Sequence, residues 1–281
     1  MTDRSGRLFV VATPIGNLAD ITLRAIRVLG EVDVIAAEDT RTTRKLLAHH
    51  GIRTPLVSYH EHNEAVRTPE LLERMLDGQR VALVSEAGTP SISDPGHRLV
   101  HESIEASITV EPVPGASALL AAVVVSGLPA ESFVFEGFLP RRRTERRRRL
   151  ESLAAERRTL VFFEAPHRLD HSLTDLFEVL GDRRVALCRE LTKLHEEVIR
   201  GSVSELIASL RRAPVKGEIV LVVDGARADS VVDLEAAAEE ALARVRAGES
   251  VREATRNVAT ERGVPRRPLY DRVLQRRKDE R

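Results

Sequence analysis

In the first third of the chain, short runs of aliphatic and β-branched residues alternate with stretches of helical periodicity, and few folds accommodate that order. Runs of this kind, apolar on every position, fit strands covered on both faces, as parallel strands joined by crossover helices are. The expected strands are residues 8–12, 32–37, 81–85 and 109–113, with helices at 22–29, 42–50, 69–76 and 97–105, spaced as right-handed crossovers require. The pattern predicts an α/β domain with a mostly parallel sheet.

A helical stretch at 115–126 ends in Gly127, Leu128 and Pro129, a breaker cluster that places a domain boundary after residue 128. Strand-like runs resume at 133–136, 160–163, 185–189 and 219–223, with helices at 146–155, 169–180 and 203–210, which predicts a second α/β domain over 129–226. From Leu234 onward the strand signal disappears. Helical patterns at 234–246, 251–261 and 268–275 predict a small helical module over 231–281.

Composition excludes several classes. Cys188 is the one cysteine, so neither an internal disulfide nor a multi-cysteine metal site is expected, and a reducing compartment, the cytoplasm, is the simpler expectation. The apolar run 116–128 is shorter than the roughly 20 residues that span a bilayer, and the first residues lack a signal-peptide apolar segment. Net charge is zero, but residues 1–140 hold 12 Lys+Arg against 18 Asp+Glu while residues 141–281 hold 31 against 25. A basic half suggests an anionic partner.

Three loops at expected strand ends are candidates for a ligand site. Thr13 to Asn17 (TPIGN) leaves the first strand and matches no phosphate or dinucleotide loop, lacking both GxxxxGK[ST] and GxGxxG. Val84 to Gly96 (VSEAGTPSISDPG) is a long turn in which small residues leave the main chain open to a flat polar ligand; Asp94 there either caps the next helix or holds an ammonium or hydroxyl group. Pro114 to Ser117 is the third.

In order along the chain, VATPIGNLADITLRA (11–25), AAEDTRTTRKLL (36–47), VSEAGTPSISDPG (84–96), PVPGASAL (112–119), FEGFLPR (135–141), FFEAPHR (162–168), RELTKLHEEVIRG (189–201) and KGEIVLVVDG (216–225) resemble the tetrapyrrole methylase superfamily. Within it they resemble the 16S ribosomal RNA cytidine 2′-O-methyltransferase family; Gly88-Thr89-Pro90 stands where the cobalamin and siroheme branch tends to carry GDP. The resemblance implies two α/β domains of the tetrapyrrole methylase type with S-adenosylmethionine in a cleft between them, a small C-terminal helical module, and often a homodimer. Carried over by position, donor contacts would be Pro14, Gly16, Ser85, Glu86, Ala87, Gly88, Thr89, Pro90, Asp94, Ser117 and Ala118, then Glu164, Ala165, Pro166, Gly217, Glu218 and Ile219. The implied reaction methylates the ribose 2′-OH of a cytidine in the decoding region of 16S rRNA within the small ribosomal subunit, with no metal. The rivals are a methyltransferase acting on a tetrapyrrole and an assembly factor without catalysis.

Such a transfer needs alignment, removal of a hydroxyl proton and exclusion of water. Lys193 is a candidate base or a solvated surface lysine. Glu38, Asp39 and Arg41 follow a buried strand and either orient the substrate or, for Asp39, cap a helix. Glu164, His167 and Arg168, with Glu190 nearby in sequence, offer another polar set. RNA contacts are expected at Arg41, His167 and Arg168 and in RRRTERRRR, where Arg141, Arg142, Arg143, Arg146, Arg147, Arg148 and Arg149 are seven arginines in nine residues; the alternative there is a solvated basic helix start, and the helical module repeats the basic pattern with Arg262, Arg266, Arg267, Arg272, Arg276, Arg277 and Lys278. With 3% aromatic residues the chain is a poor stacking platform for single strands, so docking on a folded particle is the expected mode.

Overall fold

The computed structural model describes residues 6–210, 215–226 and 229–279. The ends of the expected first and third segments, residues 1–5 and 280–281, lie outside the described residues, as does the stretch 227–228. The chain divides into two compact units, residues 1–121 with 191–194, and residues 122–190 with 195–281.

In the first unit, β1 (Arg7–Val11), β2 (Val34–Ala37), β3 (Leu56–Ser58), β4 (Arg80–Val84) and β5 (Thr109–Val113) form one sheet in the order β3-β2-β4-β1-β5. Every pairing in it is parallel. The two-residue period of a strand sorts its side chains onto two faces. Phe9, Val11, Ile35, Ala37, Ala82 and Val84 pack with α1 (Leu23–Glu31) and α2 (Thr40–His49). Their neighbours Leu8, Val34, Ala36, Val81 and Leu83 pack on the other side with α3 (Glu64–Leu76) and α4 (His97–Glu105). Thr22 caps α1, its hydroxyl accepting from the N–H of Ala25 at 3.1 Å.

Two elements differ from expectation. β3 is three half-buried residues after Pro55, too short to show a period. α3 begins at Glu64 rather than at Pro69: proline suits a first turn, yet here it is exposed inside the helix, and Asn63 organises the start by accepting from the N–H of His60 at 2.8 Å.

In the second unit, entered through α5 (Ala118–Ser126), the sheet order is β6-β7-β10-β8-β9, with β6 (Phe133–Phe138), β7 (Thr159–Glu164), β8 (Arg184–Arg189), β9 (Glu197–Ser202) and β10 (Ile219–Val223). β6 and β7 are parallel; β10 runs antiparallel to β7 and β8, and β9 antiparallel to β8. Phe162, Leu187, Leu221 and their neighbours pack with α6 (Arg143–Ser152), α7 (Leu169–Leu180) and α8 (Val203–Leu210). The edge strand β9 was not expected, because its EVIRGS composition is polar on too many positions to read as strand. α6 starts three residues before the expected 146. The C-terminal α9 (Asp229–Arg246), α10 (Val251–Arg262) and α11 (Arg266–Asp279) share a core of Ala237, Ala241, Val258, Leu269 and Val273. α10 opens on a capping box between Ser250 and Glu253 and ends on Gly263 in the left-handed conformation.

Candidate functional site

In the first-unit sheet, the crossover after β1 runs to β2 while that after β4 runs to β5, and their helices lie on opposite faces. Neighbouring strands whose connections diverge leave a crevice at their carboxyl ends, where open α/β sheets bind ligands. Here the two departing loops join. Thr13 and Gly88 exchange main-chain bonds, N–H of Thr13 to O of Gly88 at 2.8 Å and N–H of Gly88 to O of Thr13 at 3.0 Å. Gly88 takes φ +80°, and its main chain approaches Ile15 closely enough that a Cβ there would lie 3.3 Å from that side chain. Thr89 donates its hydroxyl to the carbonyl of Ala116 at 3.3 Å, tying in the loop after β5.

The remainder of the β4 loop is tightly wound. Ser91 and Ser93 both adopt positive φ, at 69° and 64°, a conformation non-glycine residues keep only where their surroundings impose it. Ser85 and Pro90 are buried, Ala87 and Asp94 half-buried, and Glu86 exposed. Gly96, not Asp94, stands at the N-cap of α4, so the helix-cap alternative for Asp94 fails. Its carboxyl group is instead pushed up to about 6, first by burial and then by the nearby Glu38 and Glu86, although a hydrogen bond from Ser85 pulls the other way. Glu38 holds this arrangement together, accepting from the N–H of Glu86 at 3.1 Å.

Asp39 takes the capping alternative: it accepts from the N–H groups of Arg41 at 2.7 Å and Thr42 at 3.3 Å, and the Arg41 guanidinium beside it lowers its carboxyl from the usual range. Arg41 is therefore exposed but already paired, 3.1 Å from Asp39. Ser117 accepts from the N–H of Leu120 and Ala118 begins α5, so both serve the helix start. Pro14 is buried and Gly16 exposed. Lys193, half-buried, belongs to the first unit with Leu191, which is 7% exposed. The Lys193 side chain lies across Gly16, at φ +147°, so closely that a Cβ there would sit 2.3 Å from its Cγ. Thr13 to Asn17 and Lys193 are both candidates in the sequence, but the contact of Lys193 with Gly16 is not legible there. Their placement depends on strand order and on chain return, neither of which has a local signature.

The residues expected in the second unit make a different picture. Glu164, 2% exposed, accepts from Ser172 and from the N–H of Ala165, and lies 3.5 Å from Arg168. Its carboxylate is thus occupied in holding the turn at Pro166. Arg168 donates to the carbonyl of Pro140 at 3.3 Å, and His167 is exposed. Glu190, at φ +49°, accepts from the N–H of Glu218 at 2.9 Å and donates its own N–H to the carbonyl of that residue at 3.0 Å. Gly217 must be glycine there, since at φ +92° its Cβ would lie 2.4 Å from that carboxylate. Ile219 is a buried sheet residue.

The arginine run is mostly paired within its own unit. Arg146 is 5% exposed and binds Asp175 at 2.8 Å; Arg143 and Arg147 bind the same carboxylate at 3.2 Å each, and Arg147 also pairs with Glu178. Arg149 pairs with Glu136 at 2.6 Å and Arg142 with Glu145 at 3.4 Å. Arg141, Arg142, Arg143, Arg148 and Arg149 are nonetheless exposed, so the run keeps a solvated basic face while five of its seven arginines are paired within the protein. Among the described residues no cluster of His, Cys, Asp and Glu is arranged to hold a metal ion, and no helix is long and apolar enough to cross a membrane.

The family model of the tetrapyrrole (corrin/porphyrin) methylases matches residues 7–207. A ribosomal RNA small subunit methyltransferase I of Halalkalibacterium halodurans is 49% identical over 276 residues, 96% of this chain and 95% of that protein. One of Thermotoga maritima is 52% identical over 220 residues, which are 78% of this chain and 99% of that protein. Among solved structures, a uroporphyrin-III C-methyltransferase of Thermus thermophilus, complexed with S-adenosylhomocysteine, is 21% identical with a TM-score of 0.56, covering 78% of this chain and 97% of that one. At that identity the likeness is one of fold.

Proposed function

We propose, from the premise that the chain belongs to the tetrapyrrole methylase family and within it to the ribosomal RNA small subunit methyltransferase I family, that it is an S-adenosylmethionine-dependent methyltransferase of ribosomal RNA. The finer reading is transfer to the ribose 2′-OH of a cytidine in the decoding region of 16S rRNA, by a cytoplasmic protein that acts as a homodimer. One observation carries the donor site: the joined β1 and β4 loops present bare main chain beside the half-buried Asp94, with Glu38 and Glu86 near it. Three carboxyl groups at one crevice favour a cationic ligand, whose arrival would return Asp94 to its ionised form.

The residues present fit such a donor. Thr13, Pro14, Gly16, the Ser85 to Pro90 loop and Asp94 would hold it, chiefly through N–H and C=O groups. S-Adenosylmethionine, when bound, supplies a methyl group on a sulfonium cation, which a hydroxyl oxygen must approach in line. Asp94 and Glu38 offset the cationic charge, and the wound 85–96 loop excludes water. Lys193, laid over Gly16, is proposed to take the hydroxyl proton. Asp39 and Glu190 are proposed as structural, the first capping a helix and the second bracing the 217–218 turn. Glu164, Gly217 and Ile219 shape their own unit and are proposed as structural.

The test is incubation with methyl-labelled donor and, separately, small ribosomal subunits, protein-free 16S rRNA and uroporphyrinogen, followed by digestion to nucleosides. Label in a 2′-O-methylated cytidine is expected. Label only in the porphyrin refutes the substrate, and donor binding without transfer refutes the activity.

A further inference from the structure

With α6 largely neutralised, the basic half of the chain offers anions a different place. Two adjoining cavities of about 280 and 390 Å³ lie where α7 and α8 meet the turn between α10 and α11, and Arg266 and Glu178 line both. Arg252 and Arg267 line the smaller with Tyr270; Arg256 lines the larger with Thr174, Ser204 and Thr260. Arg267 is paired with Glu151, and Glu178 is paired with Arg143 and Arg147. Among the described residues, Arg252, Arg256 and Arg266 make no ion pair. Glu253, which feels the Arg256 charge, makes its hydrogen bonds to Ser250.

Two features set these arginines apart from ordinary surface charge. Arg266 and Arg267 occupy the first turn of α11, which holds no acidic residue, so their charges add to the positive end of the helix instead of opposing it. Glu151 offsets the Arg267 charge, which leaves Arg266 at the helix start without a paired acid. Arg252 and Arg256 stand four residues apart on α10, ~6 Å along its axis. They therefore offer forked donors to neighbouring phosphates of one strand. All three unpaired arginines also lie beyond residue 207, outside the matched family segment.

We infer that this arginine-lined groove is a binding site for the phosphate backbone of RNA, taking up to three consecutive phosphates through Arg252, Arg256 and Arg266. The site rests on the ribosomal RNA reading above and is separate from the methyl-transfer loops. It positions the strand without reading its bases.

The test uses the full-length chain, a mixed-sequence single-stranded oligoribonucleotide and fluorescence anisotropy over a range of KCl concentrations. Replacing the three arginines together by Gln should lower the slope of log Kd against log salt by about 2, at ~0.7 per phosphate on a single strand, and weaken low-salt binding at least about ten-fold. A triple Lys variant should keep the slope, which a merely structural role would not predict. Donor affinity by calorimetry and the thermal unfolding midpoint should not change in either variant. If the Gln variant keeps the wild-type slope while wild type binds RNA, the site is wrong and the RNA reading stands. Should wild type bind no RNA at any salt, the site falls, and the ribosomal RNA reading is decided separately by the labelling of small ribosomal subunits. Equal loss of binding to a poly-glutamate peptide would mark a general anion surface and overturn the assignment to RNA.

Discussion

Replacing Asp94 with Asn asks directly whether the crevice between the β1 and β4 loops is short of positive charge. Burial with Glu38 and Glu86 nearby moves the Asp94 carboxyl from an ordinary 3.8 to about 6. A carboxyl group raised in this way binds its proton more tightly in the folded than in the unfolded chain. Its contribution to stability is therefore fully present below about pH 4 and is lost as pH climbs to about 6, the window between the two values. The full cost of ionising it is at most about 3 kcal/mol. The group is half-buried and open to some solvent screening, which brings the expected figure to about 1.5 kcal/mol. Asn keeps the shape and a hydrogen-bonding partner for Ser85 but has no proton to lose. Urea unfolding across this pH range should find the two proteins converging near pH 4, and the Asn variant more stable by about 1.5 kcal/mol above pH 6.5. The same substitution should weaken S-adenosylmethionine binding above pH 6.5 and not near pH 5, because only the ionised carboxylate attracts a cation. A stability difference that stays constant across the range would refute the reasoning, since only a shifted ionisation makes it depend on pH.

Other perturbations separate structural from chemical roles. Asp175→Asn should cost about 3 kcal/mol by chemical denaturation, because it leaves the buried Arg146 without its counter-charge; a loss below about 1 kcal/mol would return α6 to the status of a solvated helix. Lys193→Ala should slow single-turnover methyl transfer roughly 100-fold while leaving donor affinity intact; a near wild-type rate removes lysine as the base. Gly16→Val should also slow transfer by displacing the Lys193 chain but, unlike Lys193→Ala, should weaken donor binding as well, with about 1–3 kcal/mol of added backbone strain seen in the unfolding midpoint. Ser250→Ala should lower stability by about 1 kcal/mol through loss of the α10 capping box, without touching activity.

What the sequence makes legible follows how local each cause is. β4 reads clearly because Val81 to Val84 are all buried and leave an unbroken apolar run. α1 and α10 announce themselves through Thr22 and Ser250, residues whose capping bonds are made within three positions. β9 stays hidden because an edge strand has no need of an apolar face, and β3 because three residues carry no period. The candidate loops after β1 and β4 can be found from their small residues, but their pairing at Thr13 and Gly88 spans 75 positions and depends on strand order. The pairing of the arginine run is hidden for the same reason: its main acceptor Asp175 lies 29 residues beyond Arg146. Asp94 is the middle case, visible as a candidate and undecided between cap and ligand until Gly96 takes the cap position.

The two bonds between Thr13 and Gly88 also bear on how this part of the molecule moves. The loop after β1 leads toward the layer of α1 and α2, and the loop after β4 leads toward α4 on the other side of the sheet. A reciprocal pair of hydrogen bonds cannot open at one partner alone, so the two loops fluctuate as a single element. Amide hydrogens in both should therefore exchange together, and a ligand that grips either loop will slow exchange in segments anchored to opposite layers of the sheet.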